Sequence, residues 1–296
     1  MANGSLLGIL SGSGLEKKLA DALDLDSAES VVCETPFGPP SGAIVRGSYR
    51  GTPIAVLSRH GDGHLLSPAA VPYRANIFAL KSLGCTHIVA FGATGSLRDE
   101  VEPGDLVICD QLIDRTEGRP RTFYEHAAVH AEFAEPFCPV LRRWLHDAGT
   151  MIDGVRVHAS GCYVCIQGPS FSTRAESNLY RAWGADVVGM TALPEARLAR
   201  EAEIAYALVA LPTDYDCWRT RGERDEDSLL AEIIGNLNRA ADASMALLTA
   251  ALGDIDALQR TPSPAHTALA RAIWSDKSQI DPTEIERLRP LWGRYF

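Results

Sequence analysis

Five apolar runs in this 296-residue chain stop abruptly at glycine or at a reactive polar side chain, a repetition that narrows the possible folds more than any other feature. Leu6 to Leu10 leads into Ser11-Gly12-Ser13-Gly14, Ile54 to Leu57 into Ser58-Arg59-His60-Gly61, and His87 to Phe91 into Gly92-Ala93-Thr94-Gly95-Ser96. Tyr163 to Ile166 leads into Gln167-Gly168-Pro169-Ser170-Phe171, and Ile204 to Leu211 into Pro212-Thr213-Asp214-Tyr215-Asp216. Short uninterrupted apolar runs suit strands buried on both faces of a parallel sheet. Ligands of open α/β sheets bind in the crevice beyond the carboxyl ends of the strands, so five such ends describe one crevice. Glycine there lets backbone N–H groups approach an anion, and Asp214 and Asp216 can accept hydrogen bonds from a ligand's N–H groups. Thr213 and Asp214 equally have the layout of a cap for a following helix.

Strand-like runs recur near 42–46, 54–58, 87–91, 106–109, 162–166, 186–189 and 204–211, with helical patterns at 68–83, 174–183, 194–203 and 228–252. The spacing of Val71, Ala75, Phe78, Ala79 and Leu83 places them on one helical face. Thr191 precedes Pro194 and Glu195, residues suited to a helix's first turn, and serves there as an anion ligand or as a simple cap. No linker interrupts the chain before Gly253, which predicts one domain over residues 1–253. Beyond it, Arg260-Thr261-Pro262-Ser263-Pro264 breaks the pattern, a short helix is expected near 266–275, and Asp281-Pro282-Thr283-Glu284 opens another with a capping-box layout. Residues 254–296 thus read as a helical extension packed on the domain or on a neighbouring subunit.

A formal net charge of −10 argues against nucleic acid as a partner. No apolar run approaches the roughly 18 residues of a spanning helix, and no basic stretch precedes Leu6, which predicts a cytoplasmic protein without a membrane partner. Seven scattered cysteines suit free thiols in a reducing compartment. Cys162 and Cys165 have CxxC spacing but lie in a strand-like run, where positions three apart face opposite sides, and no second pair completes a metal set. No metal is expected.

Taken together, Ser58-Arg59-His60-Gly61, Asp114-Arg115-Thr116, Ala134-Glu135-Pro136-Phe137-Cys138, Gly168-Pro169-Ser170-Phe171-Ser172-Thr173-Arg174-Ala175-Glu176-Ser177 and Thr213-Asp214-Tyr215-Asp216-Cys217-Trp218 resemble the trimeric purine nucleoside phosphorylases, and most of all their 5′-methylthioadenosine phosphorylase branch. The resemblance runs from about Gly8 to about Leu252. It implies an α/β single domain with a central mixed, partly barrel-like β-sheet flanked by helices, and a homotrimer. It implies phosphate-dependent cleavage of a nucleoside's N-glycosidic bond, with inorganic phosphate as co-substrate and no cofactor. Phosphate is then expected at Ser13, Arg59, His60, the backbone of Ala93, and Thr191, a charge-assisted donor set around a dianion. Asp214 is expected to share a proton with the departing purine and Asp216 to accept from a 6-amino group. Phe171, Ser172 and Met190 are expected to contact base and ribose. Leu229 and Leu230 align with an apolar 5′ pocket, and His130 matches a histidine that reaches the neighbouring subunit's pocket.

Three positions depart from the family's pattern: Gly92 replaces a hydroxyl residue, Gly189 a common Asn, and Gln167 a Glu. The expected substrate is a 5′-modified 5′-deoxyadenosine, first of all 5′-methylthioadenosine. A 5′-halo-5′-deoxyadenosine, a methylthioinosine or general purine nucleoside phosphorylase, and a catalytically lapsed nucleoside-binding protein are the alternatives. A dinucleotide oxidoreductase is disfavoured because Gly12-Ser13-Gly14 lacks the third correctly spaced glycine.

Overall fold

The computed structural model describes residues 6–12, 25–219 and 226–296, with the side chains of 226–230 outside the description. Its strands are β1 (Leu6–Ser11), β2 (Asp26–Val31), β3 (Ile44–Tyr49), β4 (Thr52–Ser58), β5 (Cys85–Ser96), β6 (Leu106–Ile108), β7 (Gln111–Arg115), β8 (Val157–His158), β9 (Cys162–Ile166), β10 (Val187–Gly189) and β11 (Ala205–Asp214). The principal helices are α1 (Tyr73–Ser82), α2 (Pro139–Gly149), α3 (Arg174–Ala182), α4 (Ala192–Glu201) and α5 (Glu226–Leu252). The strands form one mixed sheet in the order β2-β3-β4-β1-β5-β10-β9-β7, and a second arm, β11-β6-β8, leaves the other edge of β5.

Side chains alternate along the buried strands and feed two cores. Leu10, Ile88 and Ala90 face α1 and α4, whereas Leu7, Ile9, Val89 and Phe91 face the side covered by α2 and α5. Fully burying one such side chain stabilises by about 1.5–3 kcal/mol, which is why runs with no polar residue form central strands.

The fork at β5 positions the site. One edge of β5 pairs with β11 from His87 to Gly95. The other edge pairs with β1 as far as Ala90 and with β10 only from Gly95. Residues 91–94 therefore face a gap between two strands. Phe91 O points into it and accepts from Arg59 Nη1 at 2.9 Å. Because backbone groups of alternate strand residues point to the same edge, the N–H of Ala93 is directed there too. The strand-like run ends at Phe91 in the sequence; the strand itself continues to Ser96, extended by pairing with β11 and then β10.

The amphipathic patterns at 174–183, 194–203 and 228–252 are α3, α4 and α5, the first closed by a full Thr173/Glu176 capping box. The patterned helix at 68–83 begins at Tyr73, directly after Pro72. Sequence periodicity misses α2, which caps on the Cys138 thiol, and the short strands β2, β7 and β8, whose polar or brief runs lack a buried-strand signature. The expected helix at 266–275 is a single 3-10 turn, Pro264–Thr267; the chain then runs on to bridge Ile273 to Val129.

The extension shares the main core. Leu288, Leu291 and Trp292 are fully buried with residues of α1 and α4, and the Trp292 ring lies 4.7 Å from that of Tyr124. Buried Glu203 anchors it through Leu269 N, Tyr295 Oη and Arg294 at 2.9, 2.6 and 2.6 Å. His266 Nε2 binds Thr86 O at 3.0 Å, and its ring meets His87 at 5.0 Å.

Burial, with a smaller contribution from nearby His266, lowers the His87 pKa from 6.5 to about 4. Between these values the unfolded chain binds a proton that the folded one refuses, so His87 makes stability fall as pH drops through that window. Glu201, raised by burial to about 7, acts in the opposite sense, so the difference between variants is the readout. His87→Gln is expected to flatten the fall in melting temperature between pH 6.5 and 4; an unchanged slope would assign the acid sensitivity elsewhere.

Candidate active site

Six strand ends meet at the gap in the sheet. A Cβ at Gly12, just past β1, would lie 2.7 Å from Phe91 O, 3.1 Å from Arg59 Nη1 and 3.3 Å from Gly92 Cα. A Cβ at Gly92 would lie 3.5 Å from Thr191 Oγ1. Gly12, Arg59, Gly92 and Thr191 thus adjoin one another, with the Ala93 N–H directed to the same space. Thr191 precedes α4 without capping it through its side chain, which leaves the hydroxyl for another partner. Ser13 lies outside the described residues.

The charge at this cluster differs from the sequence expectation. Arg59 is fully buried, and Nε and Nη2 bind the two Glu195 carboxylate oxygens at 2.7 and 2.8 Å. Glu195 Oε1 also accepts from Tyr206 Oη at 2.7 Å. The sequence pattern had marked Glu195 only as a first-turn residue; the missing signal is a contact across 136 positions. With Phe91 O, three of the five guanidinium N–H groups are committed to protein. His60 Nδ1 lies 2.8 Å from Leu66 O, which can only accept, so Nδ1 carries the proton. Burial lowers the His60 pKa to about 4. His60 is therefore neutral near pH 7, with an acceptor lone pair on Nε2; it supplies no charge.

The second half of the crevice holds the carboxylates. The register of β11 shifts between Pro212 and Asp214, a bulge at Thr213 that turns Asp214 beside Gly95. Asn236 of α5 holds the bulge, donating to Thr213 O at 2.7 Å. Asp216 has a left-handed backbone (φ 48°), and a Cβ at Gly95 would come within 3.0 Å of its Cβ, so glycine at 95 makes room for it. Neither Thr213 nor Asp214 caps a helix. Cys217 Sγ donates to Ser172 O at 3.2 Å, which brings the 168–173 loop to the carboxylates. The Ser172 and Thr94 hydroxyls are buried without a partner among the described residues, an unmet capacity that costs about 1–3 kcal/mol each until a ligand meets it.

Met190 joins the halves. A Cβ at Gly168 would lie 2.5 Å from Met190 Sδ, so the 168–173 loop packs directly on it. Gly189 is explained by Tyr163, whose hydroxyl sits 2.1 Å from where a Cβ would be and accepts from Thr191 N at 3.3 Å. Phe171 is 84% exposed and forms an open wall. Exposed His130 is not drawn into this crevice by its hydrogen bond or ring contact: its backbone N–H donates to Ala272 O and its ring meets Trp274 edge-on at 4.7 Å, both in the extension. The side chains of Leu229 and Leu230 lie outside the description, at the start of α5.

The geometry offers an anion cradle of backbone and hydroxyl donors next to two carboxylates and two orphaned hydroxyls. Among the described residues no group of three or more His, Cys, Asp or Glu side chains could hold a metal. All seven cysteines are free, and Cys165 Sγ accepts from Leu193 N at 3.4 Å in the turn into α4.

Residues 7–253 match the phosphorylase superfamily. The chain is 45% identical over 294 residues to the S-methyl-5′-thioadenosine phosphorylase of Thermosynechococcus vestitus, covering 98% of this chain and 99% of that one. It is 44% identical to the enzyme of that name from Geobacter sulfurreducens, with 98% and 99% covered. Among solved structures, a methylthioadenosine phosphorylase from an Antarctic soil metagenomic library superposes with a TM-score of 0.86 at 44% identity, covering 98% of this chain and 99% of that one. The Schistosoma mansoni methylthioadenosine phosphorylase in complex with adenine gives 0.80 at 35% identity, covering 91% and 99%. The relatives are thus matched through the extension as well as the sheet.

Glu195→Gln leaves a fully buried guanidinium without its countercharge. It is expected to cost about 3–5 kcal/mol in denaturant unfolding. A midpoint close to wild type would show that Arg59 does not depend on Glu195.

Proposed function

Since the chain belongs to the phosphorylase superfamily, and within it to the S-methyl-5′-thioadenosine phosphorylases, we propose that its strand-end crevice seats inorganic phosphate at Gly12, Arg59, His60, Ala93 and Thr191 and a purine at Asp214, Asp216 and Ser172. The enzyme is a pentosyltransferase: it cleaves the N-glycosidic bond of 5′-methylthioadenosine with phosphate, giving adenine and 5-methylthioribose 1-phosphate. The observation that carries the site assignment is the gap at residues 91–94 of β5, where Gly12, Arg59, Gly92 and Thr191 adjoin, with Asp214 and Asp216 beside Gly95 at its end.

Departure of the purine leaves a sugar with oxocarbenium character, and a phosphate held beneath the ring stabilises and then captures it. Ala93 N–H and Thr191 Oγ1 donate to phosphate oxygens, and Arg59, fixed by Glu195, presents its remaining N–H groups. His60 Nε2 accepts from a protonated phosphate oxygen, the role left to it by the Leu66 contact. Asp214 shares a proton with N7 of the leaving base. Asp216 accepts from the 6-amino group, so a 6-oxo purine would set a carbonyl against a carboxylate. A 5′ pocket that is apolar would disfavour an unpaired hydroxyl and favour the methylthio group; Leu229 and Leu230, the residues that the family resemblance assigns to it, have side chains outside the description.

The half-open wall at Phe171 and the outward display of His130 support a homotrimer in which a neighbour's His130 closes each 5′ pocket. Free thiols and the lack, among the described residues, of a helix long and apolar enough to span a membrane fit a cytoplasmic enzyme.

Adenine release from 5′-methylthioadenosine is expected to require added phosphate; release without it would indicate hydrolysis and overturn the assignment. Asp214→Ala is expected to lower turnover about a hundredfold or more, and adenine nucleosides to outrun 6-oxo analogues by about tenfold. Near-normal turnover of the Ala variant would remove Asp214 from leaving-group assistance.

A further inference from the structure

Arg119 lies outside every motif that suggested the site, yet it ties the site's two halves together. It is 6% exposed and spends nearly all its donors on the substrate segments. Nη1 donates to Met190 O at 2.8 Å, Leu193 O at 2.6 Å and, more weakly, Tyr73 Oη at 3.3 Å. Nη2 donates to Gln167 O at 2.6 Å and Nε to Gln167 Oε1 at 3.1 Å. One side chain therefore fixes both the turn that carries Met190 and Thr191 and the loop that continues into Phe171 and Ser172.

All of these acceptors are neutral. Nearby, Arg59 is matched by Glu195, and Asp114 lies 3.6 and 3.7 Å from Arg121 and Arg197. Glu117 gives its backbone N–H to Gln167 Oε1 but is itself exposed. With Glu201, a buried acid facing Arg197, the cluster holds four guanidiniums against three carboxyl groups, and Arg119 is the one with no acid among its hydrogen-bond partners. A carboxylate at position 167 would accept the same N–H groups and cancel the Arg119 charge; the amide keeps the geometry and leaves the charge in place.

We propose that Arg119 is a positioning residue for the Met190–Thr191 turn and that, through the neutral Gln167, it leaves an uncompensated buried positive charge that favours the phosphate co-substrate. This rests on the phosphorylase reading, and it accounts for anion attraction at a site where His60 is neutral and Arg59 is paired. Gln167 is then a determinant of phosphate affinity, and not a lost charge.

The test compares wild type, Gln167→Glu, Arg119→Lys and Arg119→Met by phosphate and nucleoside saturation kinetics, by calorimetric binding of inorganic phosphate, and by melting temperature. Gln167→Glu is expected to raise the phosphate KM and Kd about fivefold more than it raises the nucleoside KM, at an unchanged or higher melting temperature. Arg119→Lys keeps the charge but not the fork, so it is expected to lower kcat about tenfold while phosphate binding stays closer to wild type than in Arg119→Met. Equal phosphate affinity in wild type and Gln167→Glu, or a parallel rise in both KM values, would overturn the charge role. Wild-type kcat in Arg119→Met would overturn the positioning role. Should wild type release no adenine, the phosphorylase reading falls, and the calorimetric comparison still decides whether Gln167 governs anion binding.

Discussion

The buried Arg59–Glu195 pair is the constraint around which the site is organised. Two charges removed from water are costly unless each is matched and hydrogen-bonded, and here both conditions hold: a two-point contact, Phe91 O on one side and Tyr206 Oη on the other. The four residues belong to the end of β4, to α4, to β5 and to β11. Satisfying this pair fixes how those elements meet, and the same meeting creates the gap along β5. An arginine positioned in this way cannot follow an incoming anion, so the cradle is preorganised and little reorganisation is needed during reaction.

Electrostatics in the crevice arises from several modest sources. A neutral imidazole, a paired guanidinium, backbone N–H groups and a hydroxyl surround the anion position, while the carboxylates stand at the far end, where positive charge on the base would be welcome. The donor cluster beside Gly92 and the carboxylates beside Gly95 are thus set apart along β5. The orphaned Thr94 and Ser172 hydroxyls add two unmet hydrogen-bonding groups to the described residues of the crevice.

Much of this was legible in the sequence because buried strands and their glycine or polar ends leave a strong local signature. Runs such as Leu6–Leu10 and Ile204–Leu211 are β1 and β11 almost residue for residue, and Arg59, Thr191, Asp214 and Asp216 could be named from the ends alone. What escaped depends on contacts between distant residues. Glu195 reads as an ordinary first-turn acid until Arg59 meets it, and Arg119 has no local pattern at all. The charge of His60 was misjudged because protonation follows burial and the Leu66 carbonyl, neither visible in a string of letters. The apolar run stops at Phe91 because glycine and polar residues follow it, whereas pairing with β11 keeps residues 92–94 extended until β10 joins at Gly95.

The gap along β5 also bears on how such a protein can diverge. Gly92 and Gly95 sit three residues apart on a single strand, a separation of about 10 Å fixed by strand geometry. Loops can gain or lose residues without altering that interval, but an insertion or deletion within β5 would move the anion position relative to Asp216 and throw every pairing with β11 out of register. Changes in length are thereby tolerated in the loops that follow the strand ends and not within β5 itself.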